Sequence, residues 1–247
     1  VADAEDFRAL ARSSPWLFST LRFTYRDGRS EGTVRGRLRR PDALRVETLG
    51  GALLEVVRTS PSPPLAPAVL RPDGLVAGPR RYLDRDGDPM WQSYVWVAAL
   101  DPVELADGQD RDRAGGPSAA PPLDVGPVRE VEHGGRPAWE ATVTTTATYE
   151  PRCGCCSLLR DAEIDRLEWE DAAQRFAGAV YPTAHRVRLD TGTGVCVLAE
   201  ALGGTWAGAG HDLRIEAVDE PMADDLFVQP RRGLRWGPSP FPRPGRS

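Results

Sequence analysis

At 247 residues, 40% of them hydrophobic, the chain is long enough to hide roughly 70% of its unfolded surface in a core. A net charge of −5 argues against nucleic acid as a partner, because phosphate binding needs an excess of positive charge on one face. No run approaches the ~20 apolar residues of a membrane-spanning helix, and four cysteines are too few for a disulfide scaffold.

Seven Trp against two Met point to rigid aromatic packing or a lined cavity. The basic residues are all Arg, which reflects the base composition of a genome more than a demand for guanidinium chemistry. Val1 to Phe7 is acidic and lacks the pattern of a secretory leader, so a cytoplasmic location is expected, or export with the leader removed.

Asp3 to Arg12 carries Phe7, Leu10 and Ala11 at helical spacing, predicting a short helix ended by Ser13, Ser14 and Pro15. From Trp16 the period becomes two. Leu17, Ser19, Leu21, Phe23 and Tyr25 share one face, and Asp27-Gly28 turns the chain into a second strand, Thr33 to Leu38. A Pro41-Asp42 turn leads to Leu44–Glu47, and Gly50-Gly51 to a fourth strand, Ala52 to Arg58. Arg at alternate positions predicts an antiparallel meander with one wet face.

Ser60 to Pro67 is a Pro-rich excursion, with strand material near Val69 and Leu75-Val76. Met90 to Leu100 fits either a helix or, through Tyr94-Val95-Trp96-Val97, a strand. A short helix through Val103, Leu105 and Ala106 follows the Asp101-Pro102 cap. The Asp/Gly/Pro-rich stretch 107–127 predicts a flexible surface loop. Strands are expected over Val128–Glu132, Ala138–Tyr149, Ala184–Asp190, Val195–Ala201 and Leu213–Val218. An acidic helix is expected over Ser157–Phe176 and a helical turn over Pro221–Phe227. Together these predict an α+β domain over 1–228, with a Cys-containing insertion at 151–178 and a disordered Arg/Pro/Gly-rich tail at 229–247.

No nucleophile elbow, phosphate loop or dinucleotide fingerprint is present, and the expectation is a protein that is not an enzyme. His133, His185 and His211 are scattered and read as surface or satisfied residues. Asp84, Asp86 and Asp88 begin like a calcium loop, but Pro89 stands where Gly is needed, so they read as a turn. The acidic run Asp161 to Asp171 reads as a solvated helix face over a stripe of Leu158, Leu159, Ala162 and Leu167.

Cys153-Gly154-Cys155-Cys156 is the sharp signal. Three thiols within four residues suit a disulfide knot, a structural zinc with Cys196 or a His as fourth ligand, or a redox pair at a helix N-terminus.

Several stretches carry a resemblance: Leu17 to Tyr25 after a helix, Gly36 to Glu47 with its Pro turn, Arg186 to Asp190 with Thr193-Gly194-Val195, and Leu213–Glu216 with Asp225-Leu226-Phe227. In these the chain resembles the LolA-like group of lipoprotein carriers, mycobacterial LppX-type lipoproteins and RseB-type sigma regulators. The resemblance implies an incomplete β-barrel, about eleven strands in one strongly curved antiparallel sheet, covering a few helices with an apolar cavity between. It also implies carriage of an acyl chain, lipid or lipidated peptide, or contact with a protein partner in the regulator manner. On this sheet Leu17, Leu21, Phe23, Leu44, Val46 and Leu54 are expected to line the concave face under a lid of Trp91, Tyr94 and Trp96.

Overall fold

A computed structural model describes residues 1–28, 32–59, 67–80, 89–110 and 116–229. The Asp84–Asp88 turn, the Ser60–Ala66 part of the Pro-rich excursion and the tail from Pro230 lie outside the described residues.

The chain opens with α1 (Ala4–Leu17), started by a capping box. The Asp3 carboxylate accepts from the Glu5 and Asp6 N–H groups at 2.8 and 2.9 Å, and Asp6 accepts from the Asp3 N–H. The helix runs five residues past the expected end. The Ser13 hydroxyl donates to the Ala9 carbonyl and that of Ser14 to the Leu100 carbonyl, both at 2.6 Å, so neither competes for its own helix start. Phe7, Leu10 and Ala11 are buried as the spacing predicts.

Four strands follow in a meander: β1 (Thr20–Asp27), β2 (Thr33–Arg39), β3 (Ala43–Thr48) and β4 (Leu53–Arg58). Phe23 lies opposite Gly36, where any Cβ would overlap its ring, so glycine makes room for the aromatic side chain. The segment Met90–Leu100 resolves as a single short helix, α2 (Val95–Leu100), whose six residues are all buried. A helix apolar on every side belongs at the centre of a core. A 3-10 turn, Val103–Leu105, replaces the short helix expected there.

In the stretch 107–127, predicted as a loop, the described residues 107–110 and 116–127 carry strands. These are β5 (Gln109–Asp110) paired with β6 (Gly116–Pro117), then β7 (Leu123–Val125), and Leu123 is fully buried. Next come β8 (Arg129–His133) and β9 (Arg136–Thr145), then a 3-10 turn at Gly154–Cys156. The acidic helix is broken into α3 (Ala162–Glu168) and α4 (Ala172–Arg175). Its buried stripe differs too: Leu158 and Leu159 are buried ahead of the helix, Ile164 and Asp165 are the buried residues of α3, and Leu167 is 53% exposed. The chain closes with β10 (Ala184–Asp190), β11 (Cys196–Leu202), β12 (Gly210–Val218) and a 3-10 turn at Asp224–Phe227. His211, expected in a loop, is a buried residue of β12.

The main sheet has ten antiparallel strands in the order β4-β3-β2-β1-β12-β11-β10-β9-β7, with β8 pairing β9 beside β7. The ends, β4 and β7, do not pair, so the sheet stays open. Among the described residues this is the expected α+β architecture, one open antiparallel sheet of about eleven strands covering a few helices. One face gathers Leu21, Phe23, Leu38, Leu44, Val187, Leu189 and Leu213 against α1 and α2 in one apolar cluster. The opposite face carries an Arg-carboxylate lattice: Arg35 with Glu216 at 3.0 Å, Arg45 with Glu47 at 2.7 Å, and Arg37 with Glu47. The 3-10 turn at 224–227 lies on this outer side, where Arg39 and Arg58 cover the Phe227 ring.

Candidate functional site

Two features converge on the segment Trp91–Tyr94, which leads into α2. On one side is an aromatic recess of about 160 Å³. Tyr25 of β1, Val34 of β2, Trp91 and Trp96 supply its apolar walls, and Asp27, Gln92 and Ser93 its polar rim. Trp96 lies tilted against Tyr25 at 4.6 Å and 40° and is 5.5 Å from Phe23, while Trp91 meets it edge-on at 5.3 Å. Tyr25 in turn stacks on His211 at 5.7 Å. Gln92 holds the left-handed backbone conformation, φ 62°. Strained non-glycine residues of this kind cluster where a surface is shaped for a ligand.

Of the residues expected to line a cavity, Trp91 and Trp96 do so. Leu21, Phe23, Leu44 and Val46 are fully buried and fill the core, and Leu17 packs against it at partial exposure. Leu54, expected on the concave face, is 44% exposed, and Tyr94, expected in the lid, is 47% exposed and does not line the recess. For Leu54 the cause is a β-bulge: Val46 pairs with Glu55 and Glu47 with Leu53, leaving Leu54 the extra residue. Tyr94 is the N-cap residue of α2 and makes no side-chain capping bond. Tyr25 and Val34 are recess residues that the sequence reading passed over. Tyr25 shares the period-two face of Leu21 and Phe23, and Val34 is its cross-strand partner.

On the other side of Trp91–Tyr94 lies the thiol cluster. The Sγ atoms of Cys153, Cys155 and Cys156 all lie within 4.8 Å of one another, those of Cys153 and Cys155 at 3.0 Å. Burial, then the neighbouring Cys153, pushes the Cys156 thiol up to about 12, and the Cys153 hydrogen bond raises Cys155. These are not the depressed thiols of a redox nucleophile. The turn is a three-residue 3-10 segment, and the next helix starts only at Ala162, so no helix N-terminus supports a thiolate here. Cys196 is buried in β11 and donates to the Leu198 carbonyl at 3.4 Å, outside the cluster.

A buried carboxylate holds the cysteine loop in place. Glu104, 0% exposed, accepts from the Tyr149 hydroxyl at 2.8 Å and from the N–H groups of Arg152 at 3.2 Å and Leu158 at 3.3 Å. Burial raises its carboxyl above the usual carboxylate range despite these donors. Beside it, Arg152 pairs with Asp101 at 2.6 Å, Arg80 also pairs with Asp101, and Arg12 pairs with Asp107 at 2.7 Å. Glu104 left no trace in the sequence pattern, because an acid in a Pro-Val-Glu-Leu turn reads as solvated.

No protein-family model matches the chain, and none of the curated proteins does. Among solved structures it is similar to a crystal structure of MucB, with 17% identity and a TM-score of 0.42. The alignment covers 94% of this chain and 64% of that one, so the chain spans less than two thirds of the MucB chain.

Proposed function

We propose that this protein is a non-catalytic binding module that seats one apolar group, a ring or the end of a hydrocarbon chain, in the Tyr25–Trp91–Trp96 recess. The observation that carries this reading is the recess itself: aromatic walls, a polar rim and a strained rim residue at Gln92. Its volume of about 160 Å³ compares with the roughly 150 Å³ of an apolar cavity that holds one benzene. It is below the ~300–1,000 Å³ of a site for a drug-sized ligand.

Burying five or six carbons at about 0.8 kcal/mol each contributes roughly 4 kcal/mol, which by itself is about millimolar affinity. The recess therefore serves as an anchor point for a larger hydrophobic ligand, whose remainder contacts the rim at Asp27, Gln92 and Ser93. An acyl chain or lipid-modified peptide enters by its end and is not swallowed whole.

Tryptophan emission titrated with a series of aliphatic acids and small arenes tests this reading, together with mass spectrometry of an organic extract of the purified protein. Val34→Trp fills the recess from the β2 wall and is expected to abolish uptake while the fold is kept. A blank extract and no saturable response to any probe would overturn the reading.

A further inference from the structure

We propose that Cys153, Cys155, Cys156 and the carboxylate of Glu168 form a site for one thiophilic metal ion of the zinc class. The three Sγ atoms already converge, all within 4.8 Å, the closest two 3.0 Å apart. Zinc holds thiolates at about 2.3 Å in a tetrahedron, which sets sulfur–sulfur edges of about 3.8 Å. The observed spread brackets that value, so small side-chain rotations complete the three-sulfur face without moving the backbone.

The fourth corner comes from α3. A Cβ at Gly154 would overlap Glu168 Oε2, so the carboxylate lies against the turn that carries the thiols; it stands outside the three-sulfur group itself, and a rotation of its flexible side chain brings it to the ion. Zinc accepts carboxylate oxygen at about 2.0–2.2 Å beside thiolates. Glu168 is exposed and Cys155 is exposed, while Cys153 and Cys156 are half-buried, which leaves a path for the ion from solvent. Both ends of the loop are held before any ion arrives, through the Arg152 and Leu158 N–H bonds to Glu104. Such preorganisation is what a metal site needs from the residues around its ligands.

The geometry favours a metal over the other chemistries open to three clustered cysteines. A disulfide between any two leaves the third thiol beside it unpaired. A redox pair lacks the helix N-terminus that would activate it.

The full chain, reduced and freed of metal, is titrated with zinc against a chromophoric chelator, and with cobalt as a spectroscopic substitute. The expected result is one ion per chain, three thiols shielded from a disulfide reagent until chelator is added, and the charge-transfer band of cobalt bound to thiolate. Cys153→Ser and Cys156→Ser are expected to weaken binding by about a hundredfold or more. Glu168→Gln changes an exposed side chain and is expected to weaken it by about tenfold or more. Cys196→Ala, outside the cluster, leaves affinity unchanged. A reduced chain that takes up no zinc overturns the proposal, as does a disulfide among residues 153–156 that survives gentle isolation and blocks uptake. Wild-type affinity in Glu168→Gln removes that residue from the ligand set.

Discussion

His185 makes the stability of this fold depend on pH in a predictable sense. Its ring lies on the buried side of β10, 4% exposed, between the cross-strand neighbours Val143 and Ala201. Neither ring nitrogen has a hydrogen-bond partner among the described residues. Burial pushes the imidazole down from 6.5 to about 4, against the weaker pull of the nearby Asp161 carboxylate. The group stays neutral in the folded chain where the unfolded chain already binds a proton. Its contribution is therefore complete above the unfolded value of 6.5 and is lost as pH falls toward 4. The interval corresponds to about 3 kcal/mol in full, of which about 2.5 kcal/mol is gone by pH 4.5. Urea unfolding of the wild type and of His185→Leu at pH 7.5, 6.5, 5.5 and 4.5 isolates this contribution. Glu104 and Asp107, whose carboxyls are raised by burial, titrate equally in both chains. The wild type is expected to lose about 2.5 kcal/mol relative to the variant across that range. A difference that stays constant with pH would refute the assignment.

Asp107→Ala removes the acceptor of the buried Arg12 Nε and of the Arg80 N–H, which donate to it at 2.7 and 2.9 Å, and leaves Arg12 only the longer bonds to Glu5 and the Val76 carbonyl. The expected cost is about 3–5 kcal/mol by chemical denaturation. Asp73→Ala, which breaks the more exposed pair with Arg71, is expected to cost less than about 1 kcal/mol. Gly194→Ala places a methyl 2.5 Å from the Leu10 carbonyl oxygen at a backbone φ of 67°, and a loss of about 2–4 kcal/mol is expected in thermal melts. Gly135→Ala, also at positive φ but with open space around it, is expected to lose only the backbone strain of about 1 kcal/mol.

Strand positions were legible where one face is wet and the other buried. The Leu21-Phe23-Tyr25 alternation and the Arg-rich β2 and β3 have a period of two because the sheet has two different environments. The helices were less legible. Ser13 and Ser14 look like stops, but the Ser13 hydroxyl donates back to Ala9 within the helix and accepts from the Val76 N–H, while that of Ser14 donates to the distant Leu100 carbonyl. The 107–127 stretch looks unstructured by composition, yet within its described residues Leu123 is fully buried, Val125 packs on the core, and β7 pairs with β9. The cysteines were visible as a cluster because they are adjacent in sequence. Glu168 and Glu104 were not, since their approach depends on how α3 and the turn before β5 pack. The aromatic recess was half visible: Trp91 and Trp96 stood out, but which of their neighbours leave space is fixed only by packing.

The bulge at Leu54 also bears on how copies of this chain behave in company. A straight outer strand exposes an even row of amide and carbonyl groups, onto which another chain could add. Here the extra residue interrupts that row near the start of β4 and twists the strand beyond it. Deleting Leu54 alone would restore an unbroken, greasy margin of Leu53, Val56 and Val57, and self-association through it would be the price of the straighter ribbon.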